Sequence, residues 1–323
     1  MSQINIGIIG GAGYTGGELL RILLNHPNAS IVFVNSKSQA GKPVYNTHGD
    51  LIGETDLRFT DTTDYAQADV LFLCSGHNES EKFLAENTIP ETVKIIDLST
   101  DFRDESNGFV YGLPELNRER IKTATKIANP GCFATSIELA ILPLASQNLI
   151  YDDIHVSAIT GSTGAGQALS ATTHFSWRNN NISIYKAFTH QHLKEITQSV
   201  KTLQADFQNS INFIPYRGNF TRGIMANVYT KFKGSIEEAL ELYKNYYQNH
   251  PFTHVSEASE IDLKQVVNTN KCVLHLEKHG DNLLISSVID NLTKGASGQA
   301  VQNLNLIFGL EETAGLKLKP IGF

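Results

Sequence analysis

Short apolar runs alternate with helical repeats over the first third of the chain. Residues 4–9 are apolar and mostly β-branched, which predicts a buried strand, and apolar residues recur at helical spacing over 19–23. The predicted helix ends at His26–Pro27, because proline cannot continue it, and residues 30–34 predict a second strand. Two more apolar runs predict strands at 70–73 and 93–97. This order predicts an α/β fold with a doubly wound parallel sheet of the Rossmann type.

The second half of the chain has a different rhythm. Its pattern predicts strands at 155–160, 211–215 and 225–232, an antiparallel pair at 272–278 and 283–289, and helices over 134–145, 236–248 and 295–308. Strands that follow one another in sequence are typical of an α+β layout. We therefore expect two domains: residues 1–140 together with the C-terminal helix 297–323, and the α+β residues 141–296.

Composition narrows the class of function. The chain has 323 residues, of which 41% are hydrophobic and 18% charged, and its net charge of −7 argues against a nucleic-acid partner. No apolar run is long enough to span a bilayer, and the first residues lack the basic and apolar segments of an export signal. Three scattered cysteines cannot close a disulfide framework and suit a reducing compartment. We expect a cytoplasmic protein that binds a small molecule and has no membrane partner.

A glycine-rich turn follows the first predicted strand and opens the first predicted helix. Glycine permits a tight turn there, lets the backbone approach a pyrophosphate, and lets the helix pack on the strand. The turn therefore predicts a dinucleotide site, although an ordinary glycine-rich turn would show the same spacing. The residues expected to line the site are Gly10, Ala12, Gly13, Tyr14, Thr15 and Gly16.

The second predicted strand runs into Ser36, Lys37 and Ser38. An NAD site usually has a carboxylate here that binds the ribose hydroxyls, and such a carboxylate would repel a 2′-phosphate. Two hydroxyls and a lysine can instead bind that phosphate, so the sequence favours NADP over NAD. A polar, solvated loop is the alternative, and it would leave the choice open.

Cys132 differs from the other two cysteines. It follows Pro130 and Gly131 at the start of a predicted helix, where free amides and the helix dipole lower the pKa of a thiol. Cys74 and Cys272 lie on apolar strands and are expected in the core. These local features suit a nucleophile, and they equally suit a buried structural cysteine.

His190 and His192 are the best candidates for a proton partner. If the segment is extended, both imidazoles face the same side. The spacing also suits a metal ion, but no third ligand stands nearby, so we predict no metal site.

Several specific motifs are distributed over nearly the whole chain. They are GYTGGEL at 13–19, DLSTDFR at 97–103, YGLPE at 111–115, NPGCF at 129–133, GSTGAG at 161–166, HQH at 190–192, NFTRGI at 219–224, DNLTKG at 290–295 and ETAGL at 312–316. Together they resemble the N-acetyl-γ-glutamyl-phosphate reductases of the semialdehyde-dehydrogenase superfamily, whose NPGC cysteine carries the acyl group. Phe133 replaces a tyrosine of the family pattern. Gln191 replaces the arginine between the histidines, which reduces the positive charge near the substrate phosphate.

The resemblance implies NADPH-dependent reduction of N-acetyl-γ-glutamyl phosphate to the semialdehyde and phosphate, in arginine biosynthesis, through a thioester on Cys132. It implies His190 as the base and acid, and a homodimer or homotetramer built on the second domain. Further cofactor contacts are implied for Ser162, Gly164 and Asn291, and substrate contacts for Arg103, Glu115, Asn129, His192 and Arg222.

Three alternatives remain. Related enzymes reduce aspartyl phosphate, or aminoadipyl phosphate bound to a carrier protein, and a sensor could bind NADP(H) without catalysis. YGLPE and the histidine pair favour the acetylglutamyl enzyme over the aspartyl one. A carrier protein would need a basic docking surface, which a chain of net charge −7 does not suggest. A sensor has no need of Cys132 at a helix start.

Overall fold

The computed structural model describes residues 3–76, 78–258 and 260–322. The chain divides into two units, one formed by the residues up to Pro130 with Ala296–Lys317, the other by Gly131–Gly295 with the residues from Leu318 onward. The division falls after Pro130, whereas the sequence suggested residue 140, because the helix beginning at Cys132 packs on the strands and helices of the second unit. The ranges expected from the sequence also include Met1, Ser2 and Phe323, which lie outside the described residues.

The strands and helices alternate in the first unit and mix in the second. The strands are β1 (Ile4–Ile9), β2 (Ala29–Asn35), β3 (Phe59–Thr60), β4 (Val70–Leu73), β5 (Lys94–Asp97), β6 (Val110–Tyr111), β7 (Lys126–Ala128), β8 (Ile154–Thr160), β9 (Ser183–Ile184), β10 (Ile211–Arg217), β11 (Ile224–Lys231), β12 (Thr253–Ser256), β13 (Cys272–His279) and β14 (Asn282–Ile289). The helices are α1 (Tyr14–Leu23), α2 (Glu79–Glu86), α3 (Pro114–Thr123), α4 (Cys132–Ser146), α5 (Phe175–Arg178), α6 (Leu193–Leu203), α7 (Ile236–Tyr247) and α8 (Gly298–Ile307). Within the described residues, no helix is long and apolar enough to cross a membrane.

The first unit is built on a parallel sheet of seven strands in the order β3-β2-β1-β4-β5-β7-β6. β4 is buried at every position, as expected for a strand covered by helices on both faces. The chain reverses direction across the sheet between β1 and β4, and ligands of such folds bind at the carboxyl ends of the strands beside that point. The predicted doubly wound sheet is confirmed.

Helix α8 comes from the C-terminal part of the chain and lies in the core of the first unit. All ten of its residues are buried, and it packs on α1, α3 and β5. Its polar side chains bind loops of this unit: Asn303 Nδ2 donates to the Gly112 carbonyl at 2.8 Å, and Asn305 Oδ1 lies 2.9 Å from His26 Nε2. The helix therefore completes the first unit.

The second unit contains a mixed sheet of seven strands in the order β12-β13-β14-β11-β8-β10-β9. Helices α4 and α7 pack on one face of this sheet. The alternate residues of β8 that point to this face are buried, whereas His155, Ser157 and Ile159 remain exposed or partly exposed on the other. The predicted α+β second half is confirmed.

The apolar pattern missed some elements and misjudged one boundary. Helices α2 and α3 are rich in charge, and only Ser80 is buried in α2, so neither showed a hydrophobic repeat. The predicted helix over 295–308 is wrong at its start, where a π-helical turn, Thr293–Ser297, precedes α8. The Gly295 N–H donates to the Asp290 carbonyl at 2.9 Å, five residues back, as in other π-turns.

Candidate active site

The turn after β1 has the shape that a pyrophosphate requires. Gly10 has φ +75°, and a Cβ there would lie 3.1 Å from the backbone of Cys74. A Cβ at Gly16 would lie 2.5 Å from the Gly11 carbonyl oxygen, so glycine lets α1 begin close to β1. Gly13 caps α1 without a side-chain hydrogen bond, and the first turn holds no acidic residue. The amides of this helix start are therefore suited to phosphate, and the residues present fit a dinucleotide.

The end of β2 supplies no carboxylate. The Asn35 amide donates to the Thr60 carbonyl at 3.2 Å, and the hydroxyl oxygens of Ser36 and Ser38 lie 3.5 Å apart. Lys37 is exposed between them. Because β1 and β2 are parallel neighbours, this segment and the glycine turn lie at the same edge of the sheet. The donor set fits an adenosine 2′-phosphate.

Cys132 is the first residue of α4 and is partly exposed. The Gly131 N–H before it donates to Glu195 Oε2 at 3.0 Å, which fixes the approach to the helix. Gly295 packs directly on the cysteine, since a Cβ at Gly295 would lie 2.8 Å from Cys132 Cβ. The thiol is thus held at a helix N-terminus between two constrained backbone segments.

The other cysteines lie in different surroundings. Cys74 keeps some exposed surface, yet burial of its sulfur raises the pKa of this thiol to about 12. Cys272 is fully buried. Both are therefore protonated or inaccessible under neutral conditions.

The two predicted histidines lie together, but the segment between them is a turn. The Leu193 N–H donates to the His190 carbonyl at 3.0 Å, and His192 is the N-cap residue of α6, so the expected extended conformation is wrong. The His190 and His192 rings are 4.5 Å apart, and the ring of Phe133 contacts both edge-on, at 5.6 and 6.4 Å. Phe133 therefore positions the imidazoles by packing, which needs no phenol group.

Glu195 joins the histidine turn to the cysteine loop. One carboxylate oxygen accepts the Gly131 N–H, and the other lies 3.8 Å from His192 Nε2. The side chain is buried. The Glu195 carboxylate thus holds both the histidine turn and the loop that precedes Cys132.

Burial and two cations keep His190 neutral. Burial first, then the charges of Lys186 and Arg217, lowers the pKa of His190 to about 4. Lys186 Nζ donates to Gln191 Oε1 at 3.0 Å, which holds the ammonium beside the histidine turn. A neutral imidazole can exchange a proton with a thiol.

Tyr185 connects these groups to Cys132. Its ring lies 5.7 Å from that of His190, and the Arg217 guanidinium lies over its face at 4.5 Å. Burial raises the pKa of Tyr185 to about 12, opposed by Arg217 and reinforced by a charge on Cys132. The phenol therefore stays protonated and close to the sulfur.

Three predicted substrate residues lie in the first unit. Arg103 is buried and donates from Nε to the Asn129 carbonyl at 3.0 Å and from Nη2 to the Leu98 carbonyl at 3.3 Å. Asn129 donates to the Ala296 carbonyl at 3.1 Å and accepts from Asn303 at 3.2 Å. These contacts position the backbone three residues before Cys132. Glu115 is buried in the first turn of α3. Their contacts with substrate stay predictions.

The remaining predicted residues lie on loops fixed by Asp290 and Asn291. Asp290 accepts from Arg222 Nε at 2.9 Å. Asn291 accepts the Gly223 N–H at 2.7 Å and donates to Thr163 Oγ1 at 2.9 Å, which braces the turn that carries Ser162 and Gly164. The cofactor contacts predicted for Ser162, Gly164 and Asn291 remain predictions, as does the substrate contact of Arg222.

The structure adds residues that had no individual role in the sequence analysis: Tyr185, Lys186, Glu195, Arg217 and Gly295. The position of Glu195, three residues after His192, is a signal for a shared helix face. Arg217 ends β10, which runs parallel to β8, and residues at the carboxyl ends of parallel strands lie together. Gly295 ends the DNLTKG motif at 290–295, whereas the contacts of Tyr185 had no comparable sequence signal.

Comparison with known proteins finds matches to each of the two units and to the whole chain. Residues 5–124 match the semialdehyde dehydrogenase NAD-binding domain, and residues 132–291 match the semialdehyde dehydrogenase dimerisation domain. Proteins named N-acetyl-gamma-glutamyl-phosphate reductase from Christiangramia forsetii and Bacteroides thetaiotaomicron are 61% and 59% identical, over 98% and 99% of this chain and 99% and 100% of theirs.

The chain belongs to the N-acetyl-γ-glutamyl-phosphate reductase family. The members of this family are oxidoreductases, and the glycine turn of this chain lies in its nicotinamide-cofactor domain. Aspartate semialdehyde dehydrogenase II from Vibrio cholerae, in complex with ASA, superposes with a TM-score of 0.77 at 19% identity, covering 96% of this chain and 99% of that one. The enzyme from Candida albicans with NADP gives 0.70 at 14% identity, covering 95% and 99%. The reductase family and these dehydrogenases therefore share a fold.

Proposed function

We propose that the chain reduces N-acetyl-γ-glutamyl phosphate to N-acetylglutamate semialdehyde and phosphate with NADPH, in arginine biosynthesis. The observation that carries the proposal is Cys132 at the start of α4, with a neutral His190 in edge-on contact with Phe133, the residue that follows the cysteine. Relatives that share 56 to 61% of their residues with nearly the whole chain bear the corresponding name. The chemistry of these residues and the similarity to named relatives thus support the same reaction.

Cys132 is the nucleophile of the proposed reaction. Its sulfur attacks the acyl carbonyl carbon, the C–S bond forms, and the C–O bond to phosphate breaks. The amides of Cys132 and Phe133 precede the first hydrogen bond of α4, which Thr135 donates to Gly131, so they are suited to stabilise the oxyanion. The product of this step is a thioester on Cys132.

His190 moves the proton of the first step. Its Nδ1 accepts the His192 N–H at 3.3 Å, which favours the neutral ring with hydrogen on Nε2. The ring accepts the thiol proton at Nδ1, which gives up the bond from the His192 N–H for this step. The same nitrogen then passes the proton to the departing phosphate, so the ring is neutral before and after. Because the ring carries the proton in this step, substituting His190 slows thioester formation more than it weakens binding.

The glycine turn and the segment after β2 hold the cofactor in this proposal. The amides at the start of α1 bind the pyrophosphate, and Ser36, Lys37 and Ser38 bind the 2′-phosphate. Bound NADPH supplies the hydride that converts the thioester to the aldehyde level, after which Cys132 leaves as a thiolate. The second unit forms the interface of a homodimer or homotetramer. The cysteines form no disulfide among the described residues, which suits the cytoplasm.

The reverse reaction gives a direct test. Purified protein is mixed with N-acetylglutamate semialdehyde, phosphate and NADP⁺, and reduced nicotinamide is followed by absorbance. Cys132→Ser is the test variant, and Cys74→Ser, which removes a protonated thiol, is the matched control. We expect turnover in the native protein and the control, weaker turnover with NAD⁺, and none in Cys132→Ser.

Other outcomes would change specific parts of the proposal. Activity on aspartate or aminoadipate semialdehyde alone would keep the chemistry and replace the substrate. Full activity in Cys132→Ser would exclude the thioester, and equal rates with NAD⁺ would exclude the assigned 2′-phosphate site.

A further inference from the structure

Two arginines and a lysine cluster beside the histidine turn. Arg217 ends β10, and Arg178 Nη1 donates to its backbone carbonyl at 2.6 Å. Lys186 directly follows Tyr185, whose ring carries the Arg217 guanidinium on its face at 4.5 Å. We call Arg178, Lys186 and Arg217 the cation cluster.

Among the residues that the structure describes, the cation cluster has no acidic counter-charge of its own. No acidic side chain in the described part of the chain forms an ion pair with any of its three members, whereas Arg222 pairs with Asp290. Arg178 is 7% exposed, and the Nε atoms of both arginines are buried without a hydrogen-bond partner. Burial and the charge of Arg217 lower the pKa of Arg178, so the two guanidinium groups repel each other. A buried donor and repelling cations are both stabilised by a bound anion.

The cluster is held in place by neutral groups. Arg178 Nη2 donates to the Thr172 carbonyl and to Ser183 Oγ, each at 3.2 Å. β9 pairs antiparallel with β10, with Ser183 opposite Arg217. The Tyr185 N–H donates to the Pro215 carbonyl at 3.2 Å, which keeps Tyr185 and the following Lys186 alongside β10. The cations are therefore fixed before any ligand arrives, which reduces the cost of binding.

The cluster lies next to the proposed chemistry. Lys186 and Arg217 both act on the charge of His190, and Tyr185, beneath Arg217, responds to a charge on Cys132. An anion bound to Arg217 is thus close to the group attached to the sulfur. The sequence predicted a loss of positive charge where Gln191 replaces arginine, and Lys186, bound to Gln191 Oε1, supplies charge at that place.

We propose that Arg217, supported by Arg178 and Lys186, is a binding subsite for an oxyanion of the substrate. This inference rests on the proposed function for the identity of the substrate. The oxyanion is either the phosphate group or the carboxylate of the N-acylated amino acid, because a guanidinium binds both by paired hydrogen bonds. The two sources are separate reactants in the reverse reaction and can be varied independently.

The kinetic test compares Arg217→Gln and Arg217→Lys with the native protein. KM for phosphate and KM for N-acetylglutamate semialdehyde are measured in the reverse reaction. We expect one of the two KM values to rise roughly tenfold or more in Arg217→Gln, because charge-assisted hydrogen bonds are lost, and to recover partly in Arg217→Lys. Arg58→Gln is the matched control, since Arg58 is an exposed arginine of the first unit that donates to the Gly41 carbonyl.

A binding test does not need turnover. Inorganic phosphate and N-acetylglutamate are titrated separately into the native protein and Arg217→Gln by calorimetry, and circular dichroism checks that the variant is folded. Weaker phosphate binding in the variant assigns the subsite to phosphate, and weaker N-acetylglutamate binding assigns it to the carboxylate. Unchanged binding of both anions, or unchanged KM values in active Arg217→Gln, overturns the subsite. An inactive native protein that loses anion binding in the variant refutes the substrate assignment and keeps the subsite.

Discussion

His190 carries an imidazole whose surroundings oppose a positive charge. The aromatic rings of Phe133, Tyr185, His192 and Phe213 surround it, and Lys186 and Arg217 are the charged groups that act on it. With its pKa lowered to about 4, it stays neutral while an unfolded histidine would titrate near 6.5. The unfolded state therefore binds the proton more readily between these two values.

The stability of the protein should reflect that difference in proton binding. The contribution of His190 is complete above a pH of about 6.5 and is lost as the pH falls toward about 4. Between pH 7 and pH 5 we expect His190 to account for roughly 2 kcal/mol of lost stability. Urea unfolding of the native protein and His190→Gln at both pH values measures it, because other histidines contribute equally to both proteins. An equal loss in both proteins would contradict a neutral His190.

Gly295 offers a second prediction for a single residue. Alanine at this position would place its Cβ 2.8 Å from Cys132 Cβ, so the cysteine or the π-turn must move. We expect Gly295→Ala to lower kcat at least tenfold while the protein still folds. Gly49→Ala, at an exposed position with open space around it and no positive φ, is the control for alanine replacing glycine. Unchanged kcat in Gly295→Ala would show that the sulfur tolerates displacement.

Sequence motifs pointed to the residues proposed to react, but not to the residues around them. Cys132 and His190 stand in short motifs with a recognisable order. The role of Tyr185 depends on the pairing of β9 with β10, which joins residues about thirty positions apart, and no local pattern reports such a pairing. The same holds for Arg217, whose charge acts on His190 only through the folded sheet.

Helices α4 and α6 act as one support for the site. They pack together, and Ser199 Oγ donates to the buried Glu138 carboxylate at 2.6 Å. One end of this helix pair carries Cys132, where Glu195 accepts the Gly131 N–H. The contact of Glu195 with Gly131 thus lies next to Cys132, and the contact of Ser199 with Glu138 lies farther along the same two helices.

Variants at the two contacts should separate catalysis from stability. We expect Glu195→Ala to reduce both stability, by about 1–3 kcal/mol, and kcat, because it releases Gly131 and removes the partner of His192. Ser199→Ala should reduce stability to a similar degree and leave kcat unchanged. Denaturant unfolding and initial rates give the two quantities. If both variants lower kcat equally, loosening the helix pair at either contact is enough to disturb the site. The contact of Glu195 with Gly131 would then have no separate role in catalysis.

Strands and helices were predictable from the sequence where burial of one face gave the apolar residues a regular spacing. β4 and β13 emerged from their apolar residues. α4 extends beyond the predicted 134–145 by Cys132 and Phe133 at its start and by Ser146 at its end. α2 and α3 were missed because neither has a continuous apolar face. At the start of α2, the Ser80 and Glu81 N–H groups donate to the Asp101 carboxylate, a tertiary contact that no local pattern reports.

One face of the sheet in the second unit should bind a second copy of the chain. Tyr229 is 42% exposed there and stacks on His155 at 4.9 Å, in a region that matches a dimerisation domain. Exposed apolar side chains on a sheet face are stabilised when another surface covers them. We expect Tyr229→Asp to shift the native dimer or tetramer toward monomer in sedimentation experiments, while Ile52→Asp, at an exposed position of the first unit, does not. A monomeric native protein would contradict the assigned interface.

The interrupted first unit has a consequence for the order in which the protein is made. Its sheet is encoded before residue 131, but α8, which fills its core, is encoded only after the second unit. During synthesis the Rossmann sheet therefore waits for its last helix, although all of its strands are translated earlier. A nascent chain stalled before residue 296 would hold a sheet whose apolar side α8 has not yet covered. The first residues to leave the ribosome thus become native only after residues near the end of the chain have been made.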